Sequence, residues 1–156
     1  MVMKAKLSII LLGFVLFVSC NDNSIFQQNK QIYENGWNKD STANFVVSIT
    51  DTLSDFNIYI NVRNTNDYPT ENLYLFVKTI SPQENFIIDT VNLFLADPYG
   101  RWTGKKVSRI WDNKFLFRKN VKFANTGKYT FIIQQGMRYD ILDGISDIGI
   151  QIEQQN

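Results

Sequence analysis

The sequence contains no histidine and only one cysteine, Cys20, in 156 residues. The missing imidazole removes the usual general base near neutral pH and the commonest zinc ligand. A single thiol cannot form a disulfide within the chain, so the domain is held by packing alone. Proline and glycine are sparse, at three and eight residues, while phenylalanine and tyrosine are plentiful. That balance favours strands over helices and argues against extended disorder. No Gly-x-Ser-x-Gly elbow and no phosphate-cradling glycine loop occurs. Basic and acidic residues nearly cancel, 16 against 15, so net charge points to no particular partner. There is no internal repeat and no sustained helical period.

What is present begins with a leader. Lys4 and Lys6 precede an uncharged apolar run from Leu7 to Val18. Such a run is too short to span a bilayer comfortably and has the layout of a secretory signal. Ser19 then places a small residue directly before Cys20, and polar Asn21-Asp22-Asn23-Ser24 follows. This arrangement resembles a bacterial lipobox, in which the chain is cut before the cysteine and the sulfur is lipidated. Phe17 departs from the usual leucine. The rival readings are an ordinary signal peptide with a stray cysteine and an uncleaved anchor. The expected organisation is a signal peptide over 1–19, a lipidated tether over 20–31 and one domain over 32–156. The expected membrane relation is anchored, with a fatty acid such as palmitate on Cys20, and not spanning.

The domain reads as strands. Ile32 to Trp37 is the first candidate, and Phe45 to Ile49 the second. Phe56, Ile58, Ile60 and Val62 alternate with Asn57, Tyr59, Asn61 and Arg63, the mark of a half-buried strand. Leu73 to Val77 is apolar at both parities and is expected centrally in a sheet. Phe86 to Leu95 follows a short polar turn, which suggests a hairpin. Short strands are expected at Val107–Trp111 and Lys114–Arg118, split by Asp112-Asn113. Tyr129, Phe131 and Ile133 share a face, and Gly127-Lys128-Tyr129 resembles the tyrosine corner of β-sandwiches. A short helical turn is expected over Tyr139–Leu142. Ile148, Ile150 and Ile152 alternate in the last strand. About eight strands at near-regular spacing give an all-β fold, a single antiparallel β-sandwich, with a closed barrel as rival.

Two stretches carry candidate chemistry. Asp97-Pro98-Tyr99-Gly100 has the residue types of a type I turn, and Gly104 extends it. Asp97, Pro98, Gly100 and Gly104 are expected to shape this loop. From Arg101 to Lys128 there are nine basic residues and one acid, Asp112, with Trp102 and Trp111 interleaved. Arg101, Trp102, Lys105, Lys106, Arg109 and Trp111 are the candidate partner-binding residues, for an acidic protein, an anionic glycan or a lipid headgroup. The competing account is a solvated rim whose long cations cover apolar surface while the tryptophans turn into the core. A glycan-binding sandwich would stack sugar on Trp102 or Trp111. A carboxylate-dependent glycoside hydrolase would use a pair such as Asp89 and Asp97. Neither pair nor companions assemble a catalytic set in the sequence, so no enzyme and no cofactor is expected. A calcium site from Asn64, Asn66 and Asp67 lacks the glycine and distal glutamate of a calcium loop. Nucleic acid fits poorly with export.

Several segments together resemble a family. They are the lipobox, Arg63-Asn64, Tyr68-Pro69, Asn72-Leu73, Asp89-Thr90, Leu95 to Gly104, Gly127-Lys128-Tyr129, Met137-Arg138 and Gly144-Ile145-Ser146-Asp147-Ile148-Gly149. In combination they are similar to the GldH gliding-motility lipoproteins of Bacteroidetes. The resemblance implies a cell-envelope lipoprotein that serves gliding alongside other motility lipoproteins and the type IX secretion machinery. It implies no catalytic residues. The expected role is a non-catalytic interaction or assembly component that binds an envelope protein. The absence of an acidic run after Cys20 favours the periplasmic face of the outer membrane over the cell surface.

Overall fold

A computed structural model describes residues 23–32 and 35–155. The expected signal peptide and Cys20 lie outside the described residues. The strands in chain order are β1 (Ser24–Gln31), β2 (Trp37–Asn38), β3 (Thr42–Ile49), β4 (Phe56–Asn64), β5 (Asn72–Ile80) and β6 (Phe86–Phe94). Then come β7 (Lys105–Val107), β8 (Ile110–Val121), β9 (Gly127–Gln135), β10 (Ile141–Leu142) and β11 (Ile145–Gln154). Among the described residues there is no helix. One sheet has five strands in the order β1-β11-β4-β8-β7, and the other has four in the order β3-β9-β5-β6. A two-stranded pair, β10 with β2, closes one corner. Every pairing is antiparallel. The result is the expected all-β sandwich, not a closed barrel.

The core follows from strand parity. Ile58, Ile60 and Val62 of β4 and Ile148, Ile150 and Ile152 of β11 point inward from the larger sheet. Phe45 and Val47 of β3, Leu73, Leu75 and Val77 of β5, and Phe131 and Ile133 of β9 meet them from the smaller one. Each such side chain contributes about 1.5–3 kcal/mol through removal from water. Trp37 caps this core at 2 % exposure, and its indole N–H donates to the Ser41 carbonyl at 3.1 Å. The phenol of Tyr129 donates to the Asn125 carbonyl at 3.1 Å, which is the bond a tyrosine corner makes.

Four local expectations need correction. The segment assigned to a tether does not stay free: from Ser24 it forms β1, with Phe26 to Gln31 registered against Ile152 to Asp147. Its bonding is mostly backbone, so a polar, poorly patterned sequence suffices once β11 offers an edge. Of the strand expected over Ile32–Trp37, the described residues give a strand at Trp37 alone. Gly36 adopts φ 85° before it, and Trp37 and Asn38 pair with Leu142 and Ile141. That pairing also replaces the expected helical turn near Tyr139–Leu142. Asp112-Asn113 does not divide two strands; β8 runs unbroken through it, because Asn113 turns its amide into the interior. The turn lies earlier, at Ser108, whose φ is 57°.

β5 is indeed central, between β9 and β6. Its outer face is nonetheless open: Tyr74 and Phe76 are 41 % and 43 % exposed.

Candidate functional site

The Asp97 segment is a tight hairpin. The Gly100 amide donates to the Asp97 carbonyl at 2.9 Å and the Asp97 amide to the Arg101 carbonyl at 2.8 Å. Gly100 adopts φ 76°, the left-handed position that follows a type I turn in a three-residue loop. One carboxylate oxygen of Asp97 accepts from the amides of Tyr99 and Arg101, both at 2.9 Å. The other accepts from Arg101 Nε at 2.7 Å. The Arg101 amide, then its guanidinium and the Tyr99 amide, hold the Asp97 carboxyl below the usual carboxylate range. Pro98 is exposed in this turn.

This hairpin is latched to the sandwich by buried amides. Asn64 and Asn113 are 0 % and 4 % exposed. Asn113 Nδ2 donates to Asn64 Oδ1 at 3.0 Å, and the Thr103 hydroxyl lies 3.1 Å from the Leu95 carbonyl and 3.3 Å from Asn113 Oδ1. A side chain at Gly104 would meet Asn113 at 2.7 Å, so this position keeps the loop against the latch. Beside it, Tyr68 is buried and its hydroxyl donates to the Asn72 carbonyl at 2.7 Å. Burial pushes the Tyr68 phenol up to about 12. Gly144, at φ 81°, packs directly on the Tyr68 backbone where any Cβ would overlap.

The structure divides the basic stretch. Arg101 is committed to Asp97, Lys114 pairs with Glu153 at 2.5 Å, and Arg118 pairs with Asp89 at 2.6 Å. Lys122 makes a looser contact with Asp55, at 3.9 Å. Lys105, Lys106 and Arg109 behave differently. They project, exposed, from the β7–β8 hairpin and, like Lys119 and Lys128 farther along the chain, have no carboxylate partner among the described residues. Trp111 is half-buried beside them. Its indole N–H donates to Asn66 at 2.8 Å, and the Lys106 ammonium lies 5.3 Å from its ring centre. Trp102 is placed elsewhere: it is bridged to Ala96 and packs on Tyr68 with centroids 6.4 Å apart. So four of the six candidate binding residues share the hairpin, while Arg101 and Trp102 belong to the Asp97 turn and its packing.

The acidic candidates do not converge on one task. Asp97 organises its own turn and Asp89 holds Arg118. Asn64 and Asn66 spend their side chains on Asn113 and Trp111. Among the described residues no group of acidic or thiol ligands could hold a metal ion. The Asn64–Asn113–Thr103 latch escaped the reading of the sequence because asparagines between strands look like turn residues.

A β-sandwich of this kind is widespread, and identity comes from sequence likeness. The family model for GldH lipoprotein matches residues 24–152, nearly all of the described domain. A gliding motility lipoprotein GldH homolog of Christiangramia forsetii is 34 % identical over 163 residues, covering 99 % of each chain. Gliding motility lipoprotein GldH of Flavobacterium johnsoniae is 32 % identical over 155 residues, covering 95 % of this chain and 96 % of its own. Among solved structures, a GH115 4-O-methyl-α-glucuronidase aligns with a TM-score of 0.44 and 12 % identity, over 85 % of this chain and 18 % of that one. A likeness that low has no bearing on activity. The match from β1 into β11, with two relatives over nearly their full length, makes this chain a member of the GldH lipoprotein family.

Proposed function

We propose that the chain is a cell-envelope lipoprotein that serves gliding motility as a non-catalytic interaction component, docking an acidic envelope protein through the β7–β8 hairpin. The observation that carries this reading is the exposed, unpaired trio Lys105, Lys106 and Arg109 beside half-buried Trp111. Exposed cations without a carboxylate partner steer an acidic surface and fix its register. The names of the two relatives support the motility role. The proposed anchor is lipid on Cys20, at the periplasmic face of the outer membrane.

The test uses a Flavobacterium johnsoniae strain lacking its own gene, complemented with the full chain. Lys105→Glu, Lys106→Glu and Arg109→Glu together are expected to abolish spreading while the protein accumulates normally in the membrane fraction. A photo-crosslinker at position 109 is expected to capture one protein that the triple reversal loses. Normal spreading by the triple variant sinks the hairpin as the docking site. Failure of Cys20→Ala to release the protein from membranes sinks the anchor.

A further inference from the structure

β6 changes character along its inner face: Leu93 is 6 % exposed, whereas Ile87 is 55 % exposed. β8 supplies the cause. Its register against β4 slips twice, so that Leu116 faces Tyr59, Arg118 faces Ile58 and Val121 faces Phe56. Each slip adds a residue to β8, and Asn120 takes up a left-handed φ of 55°. Bulges bend and twist the strand that carries them and re-aim its side chains. Here they open a cleft of about 480 Å³ between the two sheets. That volume falls within the roughly 300–1,000 Å³ of ordinary ligand sites.

The cleft has two chemically distinct parts. Ile58, Ile87, Phe117, Val121, Phe123 and Phe131 give it an apolar interior. Arg118 and Lys122 line it as well, and no aspartate or glutamate does. Arg118 gives one nitrogen to Asp89 and keeps further N–H donors. The Lys122 contact with Asp55 joins two exposed groups at 3.9 Å and exchanges readily.

We propose that this cleft binds one fatty acid, with the alkyl chain between the sheets and the carboxylate at Arg118 and Lys122. The match is an apolar body for the interior and a single negative group for Arg118 and Lys122, whose carboxylate partners Asp89 and Asp55 do not line the cleft. It is independent of the hairpin assigned above, since Lys105, Lys106 and Arg109 lie outside the cleft.

The full chain, reconstituted in phospholipid nanodiscs, tests this with a diazirine-bearing palmitic acid and mass spectrometric mapping. Adducts are expected on Ile87 and on the Phe117–Phe123 segment, and free palmitate competes them away. Lysophosphatidylcholine at the same concentration does not. Ile87→Glu replaces an exposed side chain, so folding is retained. It is expected to cut labelling about tenfold or more by placing a carboxylate against the tail. Arg118→Gln lowers labelling by the acid while leaving labelling by its methyl ester unchanged. The proposal is overturned if adducts fall on Phe76 and Ile88 of the outer face, or persist undiminished in Ile87→Glu. It is overturned equally if lysophosphatidylcholine competes as well as palmitate, or if a crosslinker at position 87 in cells captures polypeptide only.

Discussion

The two ends of the sandwich are built from the same strands and finish differently. At one end β6 and β8 stay closed: apolar Leu93 and polar Asn113 are 6 % and 4 % exposed, and the Asn113 amide is engaged with Asn64. The Asp97 hairpin, Trp102, Tyr68 and Gly144 pack around that latch. At the other end β6 and β8 diverge, and Ile87, Phe117 and Val121 line open space. Both ends use the tools of turn-making, namely asparagines, left-handed residues and an ion pair. Their effect depends on direction. Asparagines that turn inward and bond each other shut an end. Bulges that lengthen one strand against its neighbour open it.

The contrast breaks most readily at the closed end. Gly144→Val puts a β-branched residue at a left-handed position and into the Tyr68 backbone, and is expected to cost about 3–5 kcal/mol in urea unfolding. Asn113→Ala strands the buried Asn64 side chain and should cost about 2–3 kcal/mol. Trp102→Ala removes a half-buried ring and should cost about 2 kcal/mol, less than a fully buried tryptophan. A negligible loss there would place Trp102 at the surface and revive sugar stacking.

Tyr68→Phe should cost about 1 kcal/mol at neutral pH, through the lost bond to Asn72. It also carries a pH signature. The folded phenol titrates at about 12, against an ordinary value near 10. A raised folded value means stability is fully present below pH 10 and drains as pH rises toward 12. The wild type is expected to lose about 2 kcal/mol across that window, and the Phe variant to lose none of it. Equal alkaline loss in both proteins would remove Tyr68 as the cause. The smallest effect belongs to the open end: Ile87→Gln should stay within about 0.5 kcal/mol of wild type. A loss comparable to that of Trp102→Ala would show that the cleft is closed in solution.

Much of the frame was legible. The alternation in Phe56–Arg63 and in Ile148–Glu153 marked β4 and β11 and the side each buries, because parity in a strand is fixed by backbone geometry. The Asp97-Pro98-Tyr99-Gly100 turn was legible because its residue types are those its dihedrals require. β1 was not legible, since its polar sequence contributes chiefly backbone bonds to an edge. The unbroken course of β8 was hidden because Asp112-Asn113 reads as a turn, and only Asn64 and the loop at Gly104 explain why Asn113 goes inward. Likewise Leu73–Val77 and Phe86–Leu95 carry apolar residues at both parities. That is equally compatible with burial on two faces or with an outer face left open at Tyr74, Phe76 and Ile88, as it is here.

The sequence alone determined the strand parities, the turn at Asp97, the absence of imidazole chemistry and, through the leader and Ser19-Cys20, an expected address in the envelope. These are local properties, set by neighbouring residues and by backbone dihedrals. The tertiary structure decided which cations of Arg101–Lys128 are left unpaired, which tryptophan serves packing, and which end of the sandwich stays open. Each of those depends on a partner far along the chain, such as Asp89 for Arg118 or Glu153 for Lys114, and on the register in which β4 meets β8. A charge or an aromatic ring has no fixed role until its surroundings determine what it faces.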